Sequence, residues 1–345
     1  MKQTYSFDDV LLVPQKSDIN SRGEIDLSRN IGKHKFTLPI ISSPMDTVTE
    51  VDMTLSMLKA GGLGIIHRYN TAKEQVSMVC DIREALESEK NSSASSIAAA
   101  IGTSDDFESR SSALFDAGAR ILCVDVAHGH HTLVERALKT LRDLFGESVT
   151  IIAGNVATAE GYIDLSEWGA DAVRIGIGGG SICSTRIQTG HGVPTFQSVL
   201  CCKYADGASI IADGGIKTAG DIVKAMAAGA DFAMLGSMLA GTDQSPGDTF
   251  TRTDGKRYKV YRGMASLEAQ IAWRGQARSL EGISTTIPYK GEVSRILSNL
   301  SRNMRSGLSY TGAKNITELQ SKCDFIIQTA AGRTESGTHI LASHV

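Results

Sequence analysis

The sequence predicts an α/β protein built as a closed (β/α)8 barrel, and two observations lead to that prediction. Eight short apolar runs rich in β-branched residues recur along the 345-residue chain, and stretches with helical periodicity separate them. Strands this apolar are buried on both faces, which is typical of a parallel sheet covered by helices. An open doubly wound sheet is the alternative, but no GxGxxG follows the first predicted strand, as a dinucleotide fold of that type requires.

The predicted strands follow one another at intervals that leave room for a helix after each. They are Leu38–Ser43, Leu63–His67, Ile97–Gly102, Arg120–Val126, Val149–Gly154, Ala172–Gly176, Ser209–Asp213 and Phe232–Gly236. Helical periodicity is clearest in Val51–Ala60, Ala72–Glu87, Asp105–Ala117, Thr132–Leu144 and Ala219–Ala228. In three units a Gly-Ala pair precedes the strand, where Gly ends the helix and the chain turns directly into the sheet. Eight repeats of one unit predict a TIM barrel.

About 100 residues follow the eighth strand, more than a last helix needs. Thr249–Gly263 reads as a hairpin that turns at Thr253-Asp254-Gly255-Lys256. Ser266–Pro288 is polar, punctuated by Gly and without clear periodicity, so we expect an irregular flap over about 264–290, the alternative being a disordered surface excursion. The whole chain, 1–345, is predicted to be one catalytic barrel domain with this hairpin and flap as its C-terminal extension.

Composition and charge exclude several classes of protein. Lys and Arg number 35 against 38 Asp and Glu, a net charge of −3, so the chain has no bulk positive charge for nucleic acid. No apolar run approaches the ~20 residues of a membrane span, and the N-terminus lacks the apolar core of a signal peptide. The six cysteines include no CxxC pair, which favours free thiols over a disulfide framework. We therefore expect a cytoplasmic protein.

The loops after the strands hold the sites of barrel enzymes, and two of them predict a phosphate site. Asp213-Gly214-Gly215 follows the seventh strand and Gly236-Ser237 follows the eighth. Backbone N–H groups can close on a phosphate where Cβ atoms are missing. Asp213, which only accepts hydrogen bonds when ionised, is the expected partner of ribose hydroxyls.

The loop after the sixth strand predicts a nucleophile. Gly176–Arg186 contains four glycines and Cys183. The thiolate is the reactive form of cysteine, and backbone N–H groups with Arg186 nearby would favour it. The alternative for any cysteine is a small buried hydrophobe, which we retain for the other five.

A polar loop, Asp125–His131, follows the fourth strand and holds three histidines in four residues. Zinc is a weak interpretation, because its ligands converge from separated positions and no other His/Cys cluster supplies them. Contact with a cofactor or substrate is the preferred interpretation, and solvent-exposed histidines are the alternative.

Together these loops resemble the IMP dehydrogenase/GMP reductase family over nearly the whole chain. The motifs that carry the resemblance are Tyr5–Pro14, Ser43–Thr49, Gly154–Thr158, Gly178–Thr185, Ile211–Ile216, Gly236–Gly241 and Tyr261–Met264. The resemblance implies a purine nucleotide, GMP or IMP, at the barrel mouth, with a nicotinamide dinucleotide stacked on it. It also implies that Cys183 attacks C2 of the purine to form a covalent thioimidate, and that the enzyme is a homotetramer.

The resemblance assigns roles residue by residue. Thr185 and Glu281 would join Cys183 in catalysis. The substrate would contact Ser181, Asp213, Gly214, Gly215, Gly236, Ser237, Gly263, Met264, Ala265, Arg278, Ser279, Leu280 and Gly282. The cofactor would contact Arg68, Asp125, Val126, Ala127, Gly176, Met264, Ser306 and Ser309, with Arg68 a candidate for the extra phosphate of NADPH. A monovalent cation, K⁺, is expected at Gly178, Gly180, Cys183 and Arg186, because a glycine-rich loop can aim several carbonyls at one point.

The choice between the two reactions of the family rests on the flap. Family dehydrogenases carry a water-activating Arg-Tyr pair on a longer flap, and the short segment between Gly263 and Gly291 has none. Its Arg278–Gly282 resembles the reductase stretch whose Glu partners the Thr two residues after the cysteine. A CBS insert is also absent, with only the Ser92–Ser96 linker in its place. These features favour a GMP reductase that uses NADPH.

Other features favour an IMP dehydrogenase that uses NAD and lacks CBS domains. Ser43-Pro44-Met45, Leu239–Thr242, Met264–Ala269 and the tail Thr334–His339 read more like that branch of the family. Two further alternatives are a flavin-dependent barrel oxidoreductase, which shares the phosphate loops, and a nucleotide-binding protein without activity. A nucleotide-binding protein without activity would not need an exposed cysteine beside a threonine, which argues against that alternative.

Overall fold

Eight parallel strands close into a barrel in sequence order. The structure is a computed structural model that describes residues 2–89, 96–104, 106–276 and 280–337. The barrel strands are β1 (Ile40–Ser42), β2 (Leu63–Ile66), β3 (Ala98–Ile101), β4 (Ile121–Asp125), β5 (Thr150–Val156), β6 (Ala172–Ile175), β7 (Ser209–Asp213) and β8 (Phe232–Leu235). The ring closes where Ala233 and Met234 pair with Ile40 and Ile41. The predicted (β/α)8 barrel is therefore confirmed.

Helices follow the strands and cover the outside of the barrel. They are α1 (Val51–Lys59), α2 (Ala72–Ser88), α3 (Phe107–Ala117), α4 (Thr132–Phe145), α5 (Ala159–Glu167), α6 (Thr185–Thr189), α7 (Thr195–Cys202) and α8 (Ala219–Ala227). Side chains alternate along each strand, so that Ile65 points into the barrel and Ile66 into the layer between strands and helices. Both layers are fully buried, which explains why the strands read as continuous apolar runs.

A short hairpin closes one end of the barrel. Arg29–Ile31 pairs with His34–Phe36 just before β1. The Phe36 ring packs edge-on against Phe232 of β8 at 5.8 Å, and Ile31 joins the same interior cluster. With this end filled, the loops after the strands, at the opposite end, are the ones that can form a cavity.

The C-terminal extension is more regular than the sequence suggested. The predicted hairpin is present as β9 (Phe250–Thr251) and β10 (Arg257–Arg262), but β11 (Ser284–Pro288) adds a third strand to it. Within the expected irregular flap, α9 (Leu267–Arg274) starts at a Ser266 side chain that accepts the Ala269 N–H. The helix buries only Ala269 and Gln270. It therefore has no continuous apolar stripe, and the hydrophobic pattern of the sequence does not predict it.

The last elements tie the two ends of the chain together. They are α10 (Val293–Tyr310), α11 (Ile316–Lys322), the strand Phe325–Ile327 and α12 (Ala330–Glu335). The strand pairs antiparallel with Val10–Leu12, and Asp8 binds both Lys217 and Arg333. Among the helices of the described segments, none is long and apolar enough to cross a membrane.

Gly64 in β2 gives a test of how closely helix and barrel pack. A Cβ at this position would lie 2.6 Å from the Thr54 Cα of α1, so Gly64→Ala should force the helix away from the strand. Overpacking of this kind costs about 1–3 kcal/mol of unfolding free energy. We expect a lower melting temperature by differential scanning calorimetry.

Gly220→Ala in α8 is the matched control, because its added Cβ would meet only the Thr218 hydroxyl at 3.5 Å. This variant should melt at or slightly above the wild-type temperature, since Ala favours the helix over Gly. Equal melting temperatures for the two variants would contradict the tight packing of α1 on β2.

Candidate active site at the barrel mouth

Two arginines and two aspartates form a continuous ion-pair chain at the open end of the barrel. Arg174 of β6 lies between Asp125 at the end of β4, 2.5 Å away, and Asp213 at the end of β7, 2.9 Å away. Arg68, from the loop after β2, donates to the Asp125 carbonyl at 3.1 Å and approaches its carboxylate at 3.4 Å. Asn155 donates to Asp213 at 2.8 Å. The positive and negative charges therefore balance.

Because this ion-pair chain is largely shielded from solvent, removing either an arginine or an aspartate would leave its partners without a compensating charge. Only 7% of the Arg174 side chain is exposed. Burial by itself would raise the pKa of Asp125, but Arg174 and Arg68 outweigh it and hold that pKa below its ordinary value. The two carboxylates in turn keep the pKa of Arg174 raised in spite of its burial. Asp125, Arg68 and Arg174 are therefore charged near neutral pH.

Cys183 is exposed at the mouth and stands at the head of a hydrogen-bonded relay. Its thiol donates to the Thr185 hydroxyl at 3.1 Å, and that hydroxyl donates to the Glu281 carboxylate at 2.9 Å. The three residues predicted to be catalytic are thus brought together, although Glu281 lies 96 positions from Thr185 in the chain. The Gly loop and the flap supply one end of the relay each.

Backbone pairing between the flap and the cysteine loop positions Glu281. Ser184 N–H donates to the Glu281 carbonyl at 2.8 Å, and Ile283 N–H donates to the Ile182 carbonyl at 3.1 Å. Cys183 and Gly282 face each other in this short antiparallel bridge. Because the bonds are main-chain bonds, the register of the flap against the loop fixes which side chain reaches Thr185.

Glycine is required where the loops after β6 and β7 touch. At Gly176, φ is +147° and an added Cβ would lie 2.0 Å from the Asp213 carbonyl oxygen. At Gly214, φ is +87° and a Cβ would lie 3.0 Å from the backbone of Gly179 and Gly180. Only glycine allows this approach, which brings the cysteine loop beside Asp213.

The predicted phosphate site consists of backbone N–H groups without internal acceptors. Within the described part of the chain, the N–H groups of Gly214, Gly215, Gly236, Ser237 and Met238 donate to no other group. The Tyr261 hydroxyl lies 3.4 Å from the Ser181 Oγ and also bonds to Ser237, and burial raises the pKa of this tyrosine. Tyr261 remains a neutral donor, facing the same loops. Such a set suits a phosphate.

One cavity of about 260 Å³ connects the ion-pair chain, the relay and Gly214, whereas the predicted Ser181, Gly215, Gly236 and Ser237 do not line it. Most predicted site residues line it: Arg68, Asp125, Val126, Ala127, Gly176, Gly178, Gly180, Cys183, Thr185, Asp213, Gly214, Gly263, Met264, Ala265, Glu281 and Gly282. Leu280 contributes its carbonyl, which accepts the Ser184 hydroxyl at 3.5 Å, while its side chain is exposed. Arg278 and Ser279 lie outside the described residues.

Four residues of the site escaped the sequence prediction. Tyr69, Asn155, Arg174 and Tyr261 all line the cavity. Each lies in or directly after a strand, a position that could have been read as functional, but each residue type is also common in ordinary strands and loops. Tyr69 packs edge-on against Trp273 of α9 at 4.8 Å, and the Arg68 guanidinium lies over both rings.

Some expectations do not fit the geometry. Ser306 and Ser309 lie on α10, which packs against α8, and neither lines the cavity. The Arg186 guanidinium donates to the Val193 carbonyl at 3.0 Å, so Thr185, rather than Arg186, is the group bonded to the cysteine. Arg68 already has a carboxylate partner in Asp125, which weakens it as a ligand for an additional phosphate.

The histidine loop has structural roles that the sequence did not suggest. His131 caps α4 by accepting the Leu133 N–H, and His130 binds Asp164 at 2.7 Å. His128 is exposed and does not line the cavity, and burial and neighbouring histidines lower its pKa. Among the described residues, no group of three or more His, Cys, Asp or Glu side chains is arranged to hold a metal ion. The weak zinc interpretation is therefore dropped.

Comparisons with known proteins agree with this arrangement. A profile of the IMP dehydrogenase / GMP reductase domain matches residues 4–339. The inosine-5'-monophosphate dehydrogenase of Nitrosopumilus maritimus is 34% identical, with 98% of each chain covered. The GMP reductase of Leishmania donovani is 32% identical, with 97% of this chain and 96% of the relative covered. Both reactions of the family are thus represented at nearly equal identity.

A solved structure extends the likeness to three dimensions. A cysteine-to-alanine variant of GMP reductase from Trypanosoma brucei, crystallised in complex with guanosine 5'-monophosphate, matches this chain with a TM-score of 0.91 at 31% identity. The match covers 98% of both chains, so it includes the flap as well as the barrel.

Arg174→Met tests the ion-pair chain. The variant keeps the length of the side chain but leaves Asp125 and Asp213 buried without their shared cation, which costs about 3–5 kcal/mol near neutral pH. The pKa of the Asp125 carboxyl should then rise, because Arg68 alone opposes the effect of its burial. We expect the melting-temperature deficit relative to wild type to be larger at pH 8 than at pH 5, where this carboxyl takes up a proton more readily.

Arg142→Met is the control, because Arg142 forms a comparable ion pair with Asp171 at 2.6 Å and neither residue lines the cavity. Its partner keeps a hydrogen bond from the Ile151 N–H, so the deficit should be smaller. A deficit for Arg174→Met that does not shrink on acidification would argue against two carboxylates sharing this arginine.

Proposed function

The chain belongs to the IMP dehydrogenase/GMP reductase family, and we propose that it is a GMP reductase, which uses NADPH to convert GMP to IMP and ammonia. The observation that carries this proposal is the relay from the Cys183 thiol through Thr185 to Glu281. Deamination must deliver a proton to a departing amine, and a hydroxyl backed by a carboxyl can do so.

The relay accounts for the proton in the first half of the reaction. As the Cys183 sulfur bonds to C2 of GMP, the thiol proton passes through Thr185 to Glu281. The same path returns that proton to the exocyclic amine, so that the C2–N bond breaks and neutral ammonia leaves. Thiol plus GMP thus gives a thioimidate plus ammonia, with no proton left over.

The second half requires less of the protein. When bound, NADPH supplies a hydride to C2, and the Cys183 sulfur leaves as the thiolate with the electrons of the C2–S bond. The part of the cavity lined by Arg68, Tyr69, Asp125, Ala127 and Met264 lies beside Cys183 and is open to a planar ring. Its two ion-paired groups would orient polar parts of the cofactor without adding net charge.

The nucleotide would be held by the loops after β7 and β8 and by Asp213. The unpaired N–H groups after β7 and β8 would take the 5'-phosphate, and Tyr261 would donate to it. The Asp213 carboxylate, fixed by Arg174 and Asn155, would accept the ribose hydroxyls through its Oδ1. The GMP complex of the Trypanosoma brucei reductase supports a purine nucleotide here.

K⁺ at the cysteine loop, a homotetramer and a cytoplasmic location stay predictions. The donor set of the loop fits an alkali cation, since the Gly178, Gly180, Cys183 and Arg186 carbonyls are neutral hard oxygens. The Gly180 carbonyl already accepts the Cys183 N–H at 3.1 Å and the Arg186 carbonyl the Gly190 N–H at 3.2 Å, which leaves each a second lone pair. A neighbouring copy would be needed for Ser306 and Ser309 to reach a cofactor.

The second candidate is an IMP dehydrogenase that uses NAD, and the 34% identity to the Nitrosopumilus maritimus dehydrogenase favours it. Hydrolysis of the thioimidate needs a base beside a water molecule. Arg274, an arginine of the flap, stacks on the Trp273 ring and donates to Gln270 at 3.1 Å. The relay on Glu281 is therefore the better-founded assignment.

The direction of the reaction can be read from absorbance at 340 nm. GMP with NADPH should consume NADPH and release ammonia, because Glu281 can supply the proton that the amine requires. IMP with NAD should form little NADH or XMP. Robust XMP formation would overturn the reductase assignment in favour of the dehydrogenase.

Glu281→Gln tests the relay directly. The variant keeps the side-chain shape but cannot carry a proton, so GMP reduction should slow by about 10²–10⁴. Transfer of deuterium from labelled NADPH into IMP, in the presence of NADP⁺, should fall much less, because no ammonia leaves in that exchange. Mass spectrometry of IMP and ammonia release measure the two steps.

Glu268→Gln is the matched control for this variant, since Glu268 is an exposed carboxylate on the same flap. It should leave both steps near wild type. Equal slowing of ammonia release and deuterium exchange by Glu281→Gln would mean that Glu281 serves the fold of the flap and not proton transfer.

Cys183→Ala should abolish turnover and leave the Kd for GMP within about threefold of wild type, because the thiol forms the covalent bond while other groups bind the nucleotide. Activity at 340 nm and isothermal titration calorimetry measure the two. Cys201→Ala, at the other exposed cysteine, is the control and should keep full activity. Turnover above a few per cent in Cys183→Ala would refute covalent catalysis.

A further inference from the structure

Lys290 reaches from the end of the flap onto the loop that follows β8. Its ammonium donates to the carbonyls of Ser237 and Met238, the latter at 3.3 Å. Its backbone N–H donates to the Gly241 carbonyl at 2.8 Å, and the next residue, Gly291, bridges to Thr242. Main-chain bonds at Lys290 itself and at Gly291 therefore fix the backbone from which this side chain extends.

One of these two peptide units, that between Ser237 and Met238, presents a free N–H group on its other side, whereas the Leu239 N–H of the second donates to the Gly236 carbonyl at 3.0 Å. In a trans peptide the carbonyl and the N–H point in opposite directions. The Ser237 carbonyl that binds Lys290 belongs to the peptide whose N–H is that of Met238, and this N–H donates to nothing else among the described residues. A cation on the carbonyl side both orients such a peptide and strengthens its N–H as a donor.

Charge balance gives Lys290 a second role. Arg68 and Arg174 are matched by Asp125 and Asp213, so the ion-pair chain offers no net charge to a phosphate dianion. The segment 236–242 contains no ionisable side chain of its own, and Lys290 is the cation that contacts its carbonyls. Lys290 therefore supplies a positive charge directly behind the N–H groups of the phosphate site.

We propose that Lys290 is a positioning residue for the 5'-phosphate, acting through the peptide between Ser237 and Met238 to bind phosphate monoesters in preference to nucleosides. The inference rests on the proposed function, since it takes the loops after β7 and β8 as the phosphate site. It assigns to the flap a role on the phosphate side of the nucleotide, in addition to the role of Glu281 at the base. Flap and phosphate site are coupled through one side chain.

The charge of this lysine gives the coupling a pH dependence. Lys290 is exposed as a residue, but desolvation of its ammonium against the two carbonyls lowers its pKa to about 8. A bound phosphate dianion favours the charged form, so nucleotide binding should weaken as pH rises through about 8.

The groups near Lys290 that also have shifted pKa values are two tyrosines. Burial raises the pKa of Tyr261, and the hydrogen bond from the Tyr289 hydroxyl to the Asp243 carboxylate, at 2.6 Å, raises the pKa of Tyr289. Arg257, on β10, stacks on the Tyr289 ring. A loss of affinity centred near pH 8 would therefore report Lys290.

The test compares GMP with guanosine, which lacks the phosphate. The Kd of each is measured by isothermal titration calorimetry for wild type, Lys290→Met and Lys290→Arg at about pH 7 and about pH 9.5. For Lys290→Met the Kd for GMP should rise about tenfold or more, because a bond to a charged group is lost, while the Kd for guanosine stays unchanged. Lys290→Arg should restore most of the affinity for GMP and remove its loss between the two pH values.

The outcomes separate this inference from the function on which it rests. A wild-type protein that binds guanosine as tightly as GMP would overturn the phosphate site itself. A wild-type preference for GMP that Lys290→Met leaves intact would overturn only the role of Lys290. If Lys290→Met fails to fold, the wild-type and Lys290→Arg titrations decide, and an identical pH dependence of the two proteins would refute the proposal.

Discussion

The candidate site depends on one short antiparallel bridge between the cysteine loop and the flap. Its two main-chain bonds, from Ser184 to Glu281 and from Ile283 to Ile182, hold two segments about 100 residues apart in the chain. A shift of one residue in that register would turn the Glu281 side chain to the opposite face. The relay, the wall of the cavity and the position of β11 all follow from this pairing.

A second constraint is the balance of charge at the barrel mouth. Arg174 pairs with two aspartates at once, and Arg68 shares one of them, so the two arginines and two aspartates of this chain balance in formal charge. Such a chain stabilises the site only while it is complete, because each member is costly to bury alone. The purine and ribose would meet a stiff polar wall, whereas the phosphate would meet backbone donors.

The flap therefore does more than cover the cavity. It brings Glu281 to Thr185 at one end, and through Lys290 it touches the loop of the phosphate site at the other. Between these points it forms β11, which pairs with β10 and places Tyr261 beside Ser181. Binding of the nucleotide and the chemistry at C2 thus involve the same segment of chain.

Several features could be predicted from the sequence because they depend on local pattern. Apolar runs and Gly-Ala turns determine the eight strands and helices, since burial on both faces of a parallel strand leaves a signature in a few residues. Glycines at Gly176 and Gly214 mark close backbone contacts, and Cys183 stands out because such a loop has little other use for a cysteine. The choice of Glu281 came from family resemblance, and no local signal indicates its partner.

Only the tertiary structure decides the rest, because it depends on contacts between distant segments. No pattern near Arg174 shows that it bridges Asp125 and Asp213, since three different strands supply the three charges. The histidines after β4 look like ligands in the sequence, yet His131 caps α4 and His130 binds Asp164. Likewise α9 has no apolar stripe, and Lys290 reads as an ordinary surface lysine until β11 places it on the Ser237 carbonyl. The sequence by itself determined the barrel and singled out Cys183, because local burial and the glycine-rich backbone around the cysteine are local features. The partners of Cys183 were decided in three dimensions, where the flap meets the barrel.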